Sequence, residues 1–153
     1  MNEKIEWRTA AFAALSVDEL YAILQLRTEV FVVEQNCVFQ DMDGKDAGCM
    51  HLMAWENGKL LAYTRLVPPG HIYPIASIGR VVTSPAARGR GIGKLLMQKS
   101  IDEVVRLFGN GPIKIGAQYY LLKFYSELGF RQTSEIYLED GIEHIEMIRE
   151  EDV

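Results

Sequence analysis

Hydrophobic and polar positions change their period several times along the chain, and each change predicts an element of secondary structure. Alternation in residues 4–9, with Ile5 and Trp7 on one side, indicates a first strand. Ser16 and Glu19 then have the spacing of a capping box, which marks the start of a helix. Apolar side chains recur at helical spacing after it, so we expect this helix to end near residues 32–34.

The rest of the chain has the pattern of strands and helices separated by glycine-containing turns. Asn57-Gly58 predicts a tight hairpin, because both residues tolerate positive φ, and Gly129 is placed to end a helix. This order predicts a single domain over residues 1–153 of the α/β class, with mixed α+β character: one mixed sheet of about seven strands flanked by helices. The other predicted strands are residues 50–56, 59–67, 76–83, 113–116, 130–138 and 142–149, and the other helices are residues 91–108 and 119–128.

Composition and charge exclude several classes of function. The 153 residues carry 16 basic and 21 acidic side chains, and a net charge of −5 argues against a nucleic-acid partner, because such binding depends on Lys and Arg contacts to phosphates. The apolar residues 9–17 lack the basic flank of a secretory signal, and no later run reaches the roughly 18 apolar residues of a membrane span. Cys37 and Cys49 are too few for a disulfide framework. We therefore expect a cytoplasmic protein with free thiols and no membrane partner.

The strongest candidate for chemistry is the glycine-rich segment of residues 88–94 (Arg-Gly-Arg-Gly-Ile-Gly-Lys), between a predicted strand and a predicted helix. Amides without β-carbons can fold into a concave anion site, and a helix N-terminus adds free N–H groups and positive charge. A Walker A loop is excluded because Arg88 stands where its first glycine belongs and Leu95 replaces its Ser or Thr. A dinucleotide fingerprint is excluded as well, because Lys94 occupies the position of its third glycine. The segment therefore predicts a site for a phosphate or pyrophosphate.

Two motifs resemble signatures of the GNAT N-acetyltransferase superfamily: Arg-x-x-Gly-x-Gly at residues 88–93, and Phe-Tyr-x-x-x-Gly-Phe at residues 124–130. The resemblance covers the order of elements from about residue 7 to 147. Residues 31–37, 40–46 and 139–145 further resemble the ElaA-like subgroup. The resemblance implies a mostly antiparallel sheet, acetyl-CoA as co-substrate, and direct attack of an amine in a ternary complex. Gln118 and Leu121 depart from the Asn and Ala that the family often has there.

The resemblance also implies roles for individual residues. Tyr125 matches the residue that protonates the departing thiolate, although its spacing also suits an aromatic core residue. Backbone amides near the end of the fourth strand would bind pantetheine and the thioester carbonyl, the glycine-rich loop would bind the pyrophosphate, and Gln118 would offer an amide. The implied cofactor-binding residues are Val81, Val82, Thr83, Arg88, Gly89, Arg90, Gly91, Ile92, Gly93, Lys94 and Gln118.

The general base stays open among three residues expected near the acceptor. Glu34, at the end of the first helix, is preferred; Glu29 also suits a solvated helix surface, and His51 also suits a core histidine. Carboxylates in the first helix and the following loop predict an acidic wall, which would attract a cationic primary amine, either a small molecule or a peptide end. The residues of that predicted wall are Glu29, Glu34, Asp41, Asp43 and Asp46.

The sequence gives less support to a metal site, a cysteine nucleophile or a function other than acyl transfer. The Asp41-x-Asp43-Gly start lacks the register and terminal Glu of a calcium loop, so no metal is predicted there or at His144. Cys37 has no histidine spaced to activate it as a nucleophile. Two alternatives to the transferase remain, a CoA-binding sensor without turnover and a nucleotide-binding module, and the sequence leaves a homodimer open.

Overall fold

Eight strands and three α-helices form the regular structure of residues 4–151, the part of the chain that the computed structural model describes. Four strands have the predicted bounds: β2 (Met50–Glu56), β3 (Lys59–Val67), β4 (Ala76–Thr83) and β8 (Ile142–Arg149). The remaining elements are β1 (Glu6–Ala11), α1 (Val17–Arg27), α2 (Ile92–Phe108), β5 (Ile113–Gln118), α3 (Leu122–Ser126), β6 (Phe130–Gln132) and β7 (Tyr137–Glu139).

The first helix begins as predicted and ends in an unexpected form. The Ser16 side chain accepts a hydrogen bond from the Glu19 N–H at 3.0 Å, and the Glu19 carboxylate accepts one from the Ser16 N–H at 2.8 Å, which confirms the capping box. After α1, Thr28–Glu34 forms a π-helix. Just past its end, the Cys37 N–H donates to the Val32 carbonyl at 3.0 Å, so the wide spacing of the hydrogen bonds continues. Such wide turns are rare and often occur at functional sites.

The strands form one mostly antiparallel sheet, as expected, in the order β1-β2-β3-β4-β5-β8-β6, with β7 also paired to β8. The exception is the parallel pair β4–β5, which pairs only at Ala76–Ile113 and Ser77–Lys114. Beyond these residues the two strands diverge. The divergence opens the sheet at its centre.

Two predicted elements are shorter than expected. The strand predicted for residues 130–138 is divided into β6 and β7, because the Ser134 side chain accepts the Glu146 N–H in place of a backbone partner; the sheet therefore has eight strands over residues 4–151 instead of about seven. The helix predicted for residues 119–128 begins as the 3₁₀ turn Tyr119–Leu121 and continues as the short α3. Gly129 does end it at a φ of +97°, as predicted.

A β-bulge in β4 changes the direction of its side chains. Tyr63 pairs with Val82 and Arg65 pairs with Gly79, so Arg80 and Val81 lie opposite one residue of β3. Arg80 has a φ of +50°, which is unusual for a residue with a β-carbon. Before the bulge, even-numbered residues of β4 face α2; after it, Val82 faces α1.

The sheet thus has a core on each face. The larger core lies between the sheet and α2 and includes Leu96, Ile101 and Tyr125. The smaller one lies between the sheet and α1 and includes Ile23 and Leu26. Among residues 4–151, no helix has the length and apolar character needed to cross a membrane.

Candidate active site

A cavity of about 750 Å³ lies where β4 and β5 diverge. Residues 78–83 of β4 form one wall and residues 115–118 of β5 form the other, while the start of α2 and the helix α3 close one side. A volume of this size is typical of sites for small ligands and cofactors. The opening in the sheet is therefore large enough for a substrate.

The glycine-rich segment forms the end of this cavity. Gly89 and Gly91 have φ values of +81° and +73°, a region that glycine adopts without steric cost. Gly91 caps α2, and the first helical hydrogen bond runs from the Leu95 N–H to the Gly91 carbonyl at 3.3 Å, so the preceding N–H groups have no partner within the helix. This geometry is that of an anion site at a helix N-terminus.

Ten of the eleven residues predicted to bind the cofactor line the cavity. Arg90 is the exception: its guanidinium donates to both carboxylate oxygens of Glu56, at 3.0 and 2.8 Å, and lies outside the cavity. A carboxylate of β2 thus binds the Arg90 side chain, and a role for Arg90 in binding the cofactor stays a prediction. The ten lining residues are Val81, Val82, Thr83, Arg88, Gly89, Gly91, Ile92, Gly93, Lys94 and Gln118.

Glu34, the preferred base, lines the cavity but is held in an ion pair. Both of its oxygens accept hydrogen bonds from Arg88, at 2.7 and 2.6 Å. These hydrogen bonds lower the pKa of the Glu34 carboxyl. A carboxylate in this state is a weaker proton acceptor, so the pair favours a role for Glu34 in holding Arg88 at the cavity.

The other two candidate bases lie outside the cavity. His51 is buried between the Asp46 carbonyl, 2.9 Å from its Nε2, and the Tyr63 hydroxyl, 2.6 Å from its Nδ1. A carbonyl only accepts, so Nε2 carries the proton and Nδ1 accepts from Tyr63. Burial lowers the pKa of His51, and the residue is a satisfied core histidine. Glu29 is exposed beside a separate small pocket near Trp55.

Tyr125 lies on the α2 side of the cavity. It is buried and its ring packs edge-on against Phe124 and Phe130, with centroids 5.1 and 6.0 Å away. Burial raises the pKa of the Tyr125 hydroxyl above its usual range. The hydroxyl is therefore in its protonated form at neutral pH, as a proton donor must be.

The predicted acidic wall is largely neutralised. Asp41, Asp43 and Asp46 pair with arginines in a network that we call the arginine–aspartate cluster. Arg27 lies 2.8 Å from both Asp41 and Asp46, Arg65 lies 2.9 Å from Asp43 and 3.1 Å from Asp46, and Arg80 lies 2.8 Å from Asp41 and 3.4 Å from Asp43. Three positive and three negative charges balance, so these aspartates supply no net field for a cation. Sequence reasoning missed this because the arginines come from three different elements.

Several residues that sequence reasoning missed line the far side of the cavity. Glu139 and Asp140, at the turn between β7 and β8, are exposed, and the Asp140 carbonyl accepts a hydrogen bond from the Cys37 thiol at 3.5 Å. His144 is buried in the same wall. All three residues lie within residues 139–145, which resemble the ElaA-like subgroup. That resemblance was the one signal in the sequence that could have placed them at the site.

Two faces of the sheet meet at the cavity. Gln118 pairs with His144 across β5 and β8, and its side chain donates to Gln35, after the π-helix, at 3.2 Å. The neighbouring Ala117 and Ile145 belong to the core on the α2 side. Because side chains alternate along a strand, Gln118 and His144 face the α1 side. Tyr125 and His144 therefore approach the cavity from opposite faces.

No group of three or more His, Cys, Asp and Glu side chains within residues 4–151 has the arrangement of a metal site. The aspartates of the arginine–aspartate cluster have guanidinium partners instead. The cavity is lined by backbone groups, apolar side chains, the two tyrosines Tyr120 and Tyr125, and a few charged side chains.

A sheet that opens between a parallel pair of strands, with a glycine-rich loop at the helix that follows, is the arrangement expected from the resemblance to the GNAT superfamily. A model of the GNAT acetyltransferase domain matches residues 13–151. Together with the relatives below, this match shows that the chain belongs to the GNAT acetyltransferase family, and it agrees with the resemblance inferred from the two motifs.

The relatives include the ElaA protein of Escherichia coli, which is 44% identical over 148 residues that cover 95% of this chain and 97% of ElaA. An acyl-CoA N-acyltransferase from Pseudomonas aeruginosa has a similar crystal structure, with a TM-score of 0.91 and 48% identity over 95% of this chain and 99% of that one. A GNAT family acetyltransferase from Elizabethkingia anophelis, with acetyl-CoA bound, shares the fold at a TM-score of 0.62 and 16% identity, over 97% of this chain and 99% of that one.

Proposed function

We propose that the protein is an N-acetyltransferase that transfers the acetyl group of acetyl-CoA to an amine by direct attack in a ternary complex. The observation that carries this proposal is the cavity between β4 and β5. It brings the free N–H groups at the start of α2, the backbone of residues 81–83 and the Tyr125 side chain onto one surface. An anion site, an amide-lined wall and a proton donor are what a CoA thioester requires.

The residues of the cavity can supply each part of acyl transfer. Attack on a thioester develops negative charge on the carbonyl oxygen, and fixed backbone N–H groups of residues 81–83 would stabilise it. The departing thiolate needs a proton, which the Tyr125 hydroxyl would give. The pyrophosphate of CoA would lie at the N-terminus of α2, beside Lys94. No step requires a metal ion.

We further propose a cationic primary amine, small or at a peptide end, as the acceptor. The support comes from Glu139 and Asp140, which are exposed and line the cavity. Carboxylates at the rim of a cleft concentrate cations. The arginine–aspartate cluster adds nothing to this attraction, because its charges balance.

The test measures thiol release from acetyl-CoA with a panel of primary amines, alongside neutral and anionic acceptors, and CoA binding by calorimetry. We expect thiol release with cationic amines and little with anionic acceptors. Gly91→Ala should weaken CoA binding and lower kcat/KM by about tenfold, because a β-carbon at a φ of +73° strains the start of α2 by about 1–2 kcal/mol.

Gly111→Ala is the matched control. It adds the same carbon where nothing lies within 4 Å and the φ is not positive, so CoA affinity and turnover should be those of the wild type. A folded wild-type protein that does not bind CoA contradicts the proposal. Binding without thiol release from any amine also contradicts it and indicates a sensor.

A further inference from the structure

His144 lines the cavity on the face of the sheet opposite the one that carries Tyr125. Its ring is buried, with a side-chain exposure of 10%, and stacks on Tyr137 at 6.0 Å between centroids. His144 is paired in register with Gln118, and both side chains lie on the α1 face of the sheet. A group at this position can reach the nitrogen of an acceptor while Tyr125 reaches the sulfur of the thioester.

The hydrogen bonds of His144 fix its tautomer. Nδ1 lies 2.8 Å from the Ile142 carbonyl oxygen, which can only accept, so Nδ1 carries the proton. In the neutral ring Nε2 therefore has a free lone pair. Nε2 lies 3.5 Å from a carboxylate oxygen of Glu139, whose own side chain is 61% exposed. The ring is thus oriented to take a proton at Nε2, and Glu139 would stabilise the cation that results.

We propose that His144 is the general base of the transfer reaction, taking a proton from the acceptor ammonium at Nε2. This inference rests on the proposed function. It assigns the role to His144 in place of Glu34, whose carboxylate is bound by Arg88. In this arrangement the ammonium approaches Nε2 and the Glu139 carboxylate oxygen, which lie 3.5 Å apart, from one side and donates to both.

The reaction balances with these groups. His144 Nε2 takes one proton from the ammonium and leaves the nitrogen with a lone pair. That pair forms the C–N bond, and the C–S bond breaks with its electrons going to sulfur. Sulfur takes a proton from Tyr125, and the second proton lost by nitrogen restores the Tyr125 hydroxyl. The proton on His144 leaves to solvent, so one proton is released for each acetyl group transferred.

The charged surroundings of His144 come from several elements. On its own hairpin it faces Tyr137, Glu139 and Asp140, and Glu146 lies two residues further along β8, paired with Lys114 of β5 at 3.3 Å. The cavity adds charged groups from other elements, namely Glu34, Arg80, Arg88 and Lys94. Among these, Glu139 is the carboxylate within 4 Å of Nε2.

The test compares pH profiles of kcat/KM for the wild type, His144→Asn and Glu34→Gln with the best cationic amine. His144→Asn keeps an N–H donor near the Ile142 carbonyl but removes Nε2. We expect kcat/KM to fall by about 10²-fold or more at neutral pH, with CoA affinity unchanged. The defect should shrink as the pH rises, because more amine is already neutral, and added imidazole should restore part of the activity. Glu34→Gln should keep the shape of the wild-type profile.

His71→Asn is the matched control, because His71 also binds a backbone carbonyl, that of Lys45 at 2.9 Å, and lies outside the cavity. It should retain wild-type kcat/KM. If His144→Asn does not fold, His144→Gln serves instead, because it also removes the imidazole Nε2 as a proton acceptor. If the wild type is active and a folded His144 variant keeps the same activity and pH profile, the role of His144 is overturned and the proposed function stands. A wild type that binds CoA but acetylates no amine overturns the proposed function as well.

Discussion

Replacing Arg27 by methionine tests how much the arginine–aspartate cluster contributes to stability. The Arg27 side chain is about 1% exposed and donates to Asp41 and Asp46 at 2.8 Å each and to the Asp41 carbonyl at 3.2 Å. Methionine has a similar length and no charge, so the substitution removes the guanidinium without a large loss of volume. The cluster then has two arginines against three aspartates.

The size of the effect follows from burial. Removing one partner of a buried ion pair costs about 3–5 kcal/mol, because the other partner is left as an uncompensated charge. That is a large part of the roughly 5–15 kcal/mol that stabilises a typical domain. At about 2–4 °C for each kcal/mol in a chain of this size, Tm should fall by roughly 6–20 °C.

The assay is urea unfolding at neutral pH together with a thermal melt. Arg131→Met is the matched control, because Arg131 and its partner Glu150 are 64% and 60% exposed, and such pairs contribute less than about 1 kcal/mol. The double variant Arg27→Met with Asp41→Asn rebalances the charge and should be more stable than the sum of the single changes predicts. If Arg27→Met unfolds at the same urea concentration as Arg131→Met, the reasoning about burial is refuted.

Three further predictions follow from the site and its surroundings. Tyr125→Phe should lower kcat by about 10²-fold with CoA affinity unchanged, and turnover within twofold of the wild type would assign Tyr125 to packing alone. A thiol reagent should modify the half-buried Cys37 well before Cys49, because burial raises the pKa of the Cys49 thiol to about 11. CoA should slow the reaction of Cys37, which lines the cavity. Equal rates for both thiols would contradict this prediction. Burial alone would raise the pKa of Asp43, but hydrogen bonds from Arg65 and the Lys45 N–H outweigh it and hold that pKa at about 2, so stability should fall as the pH drops from about 4 to 2. Asp43→Asn should flatten this fall in urea titrations, and an unchanged slope would count against the assignment.

Local patterns in the sequence predicted most of the fold. The bounds of β2, β3, β4 and β8 followed from alternation and from turn residues, because both depend on neighbours in the chain. The capping box at Ser16 was correct for the same reason. The π-helix after α1 was missed, since its apolar positions also fit an α-helix.

The features of the site that sequence reasoning missed have a common physical cause. The φ of +50° at Arg80 is held by ion pairs to Asp41 and Asp43, which are distant in sequence. The ion pair of Arg90 with Glu56 was also missed, because nothing near Arg90 in the chain indicates Glu56 as its partner. Spacing indicates which side chains share an element, but the partner of a charge depends on tertiary contacts. That residues 1–153 form one domain stays a prediction.

The divergence of β4 and β5 gives the sheet two edges in its interior. Past Ser77 and Lys114 these strands are not paired with each other, so their facing backbone groups resemble those of an edge strand. Exposed edges usually pair with other chains, but these two face each other across the cavity. A ligand that enters as an extended arm with amide groups could form hydrogen bonds to either edge, as a neighbouring strand does. The gap thus presents unpaired strand backbone to a ligand, in addition to the side chains that line it.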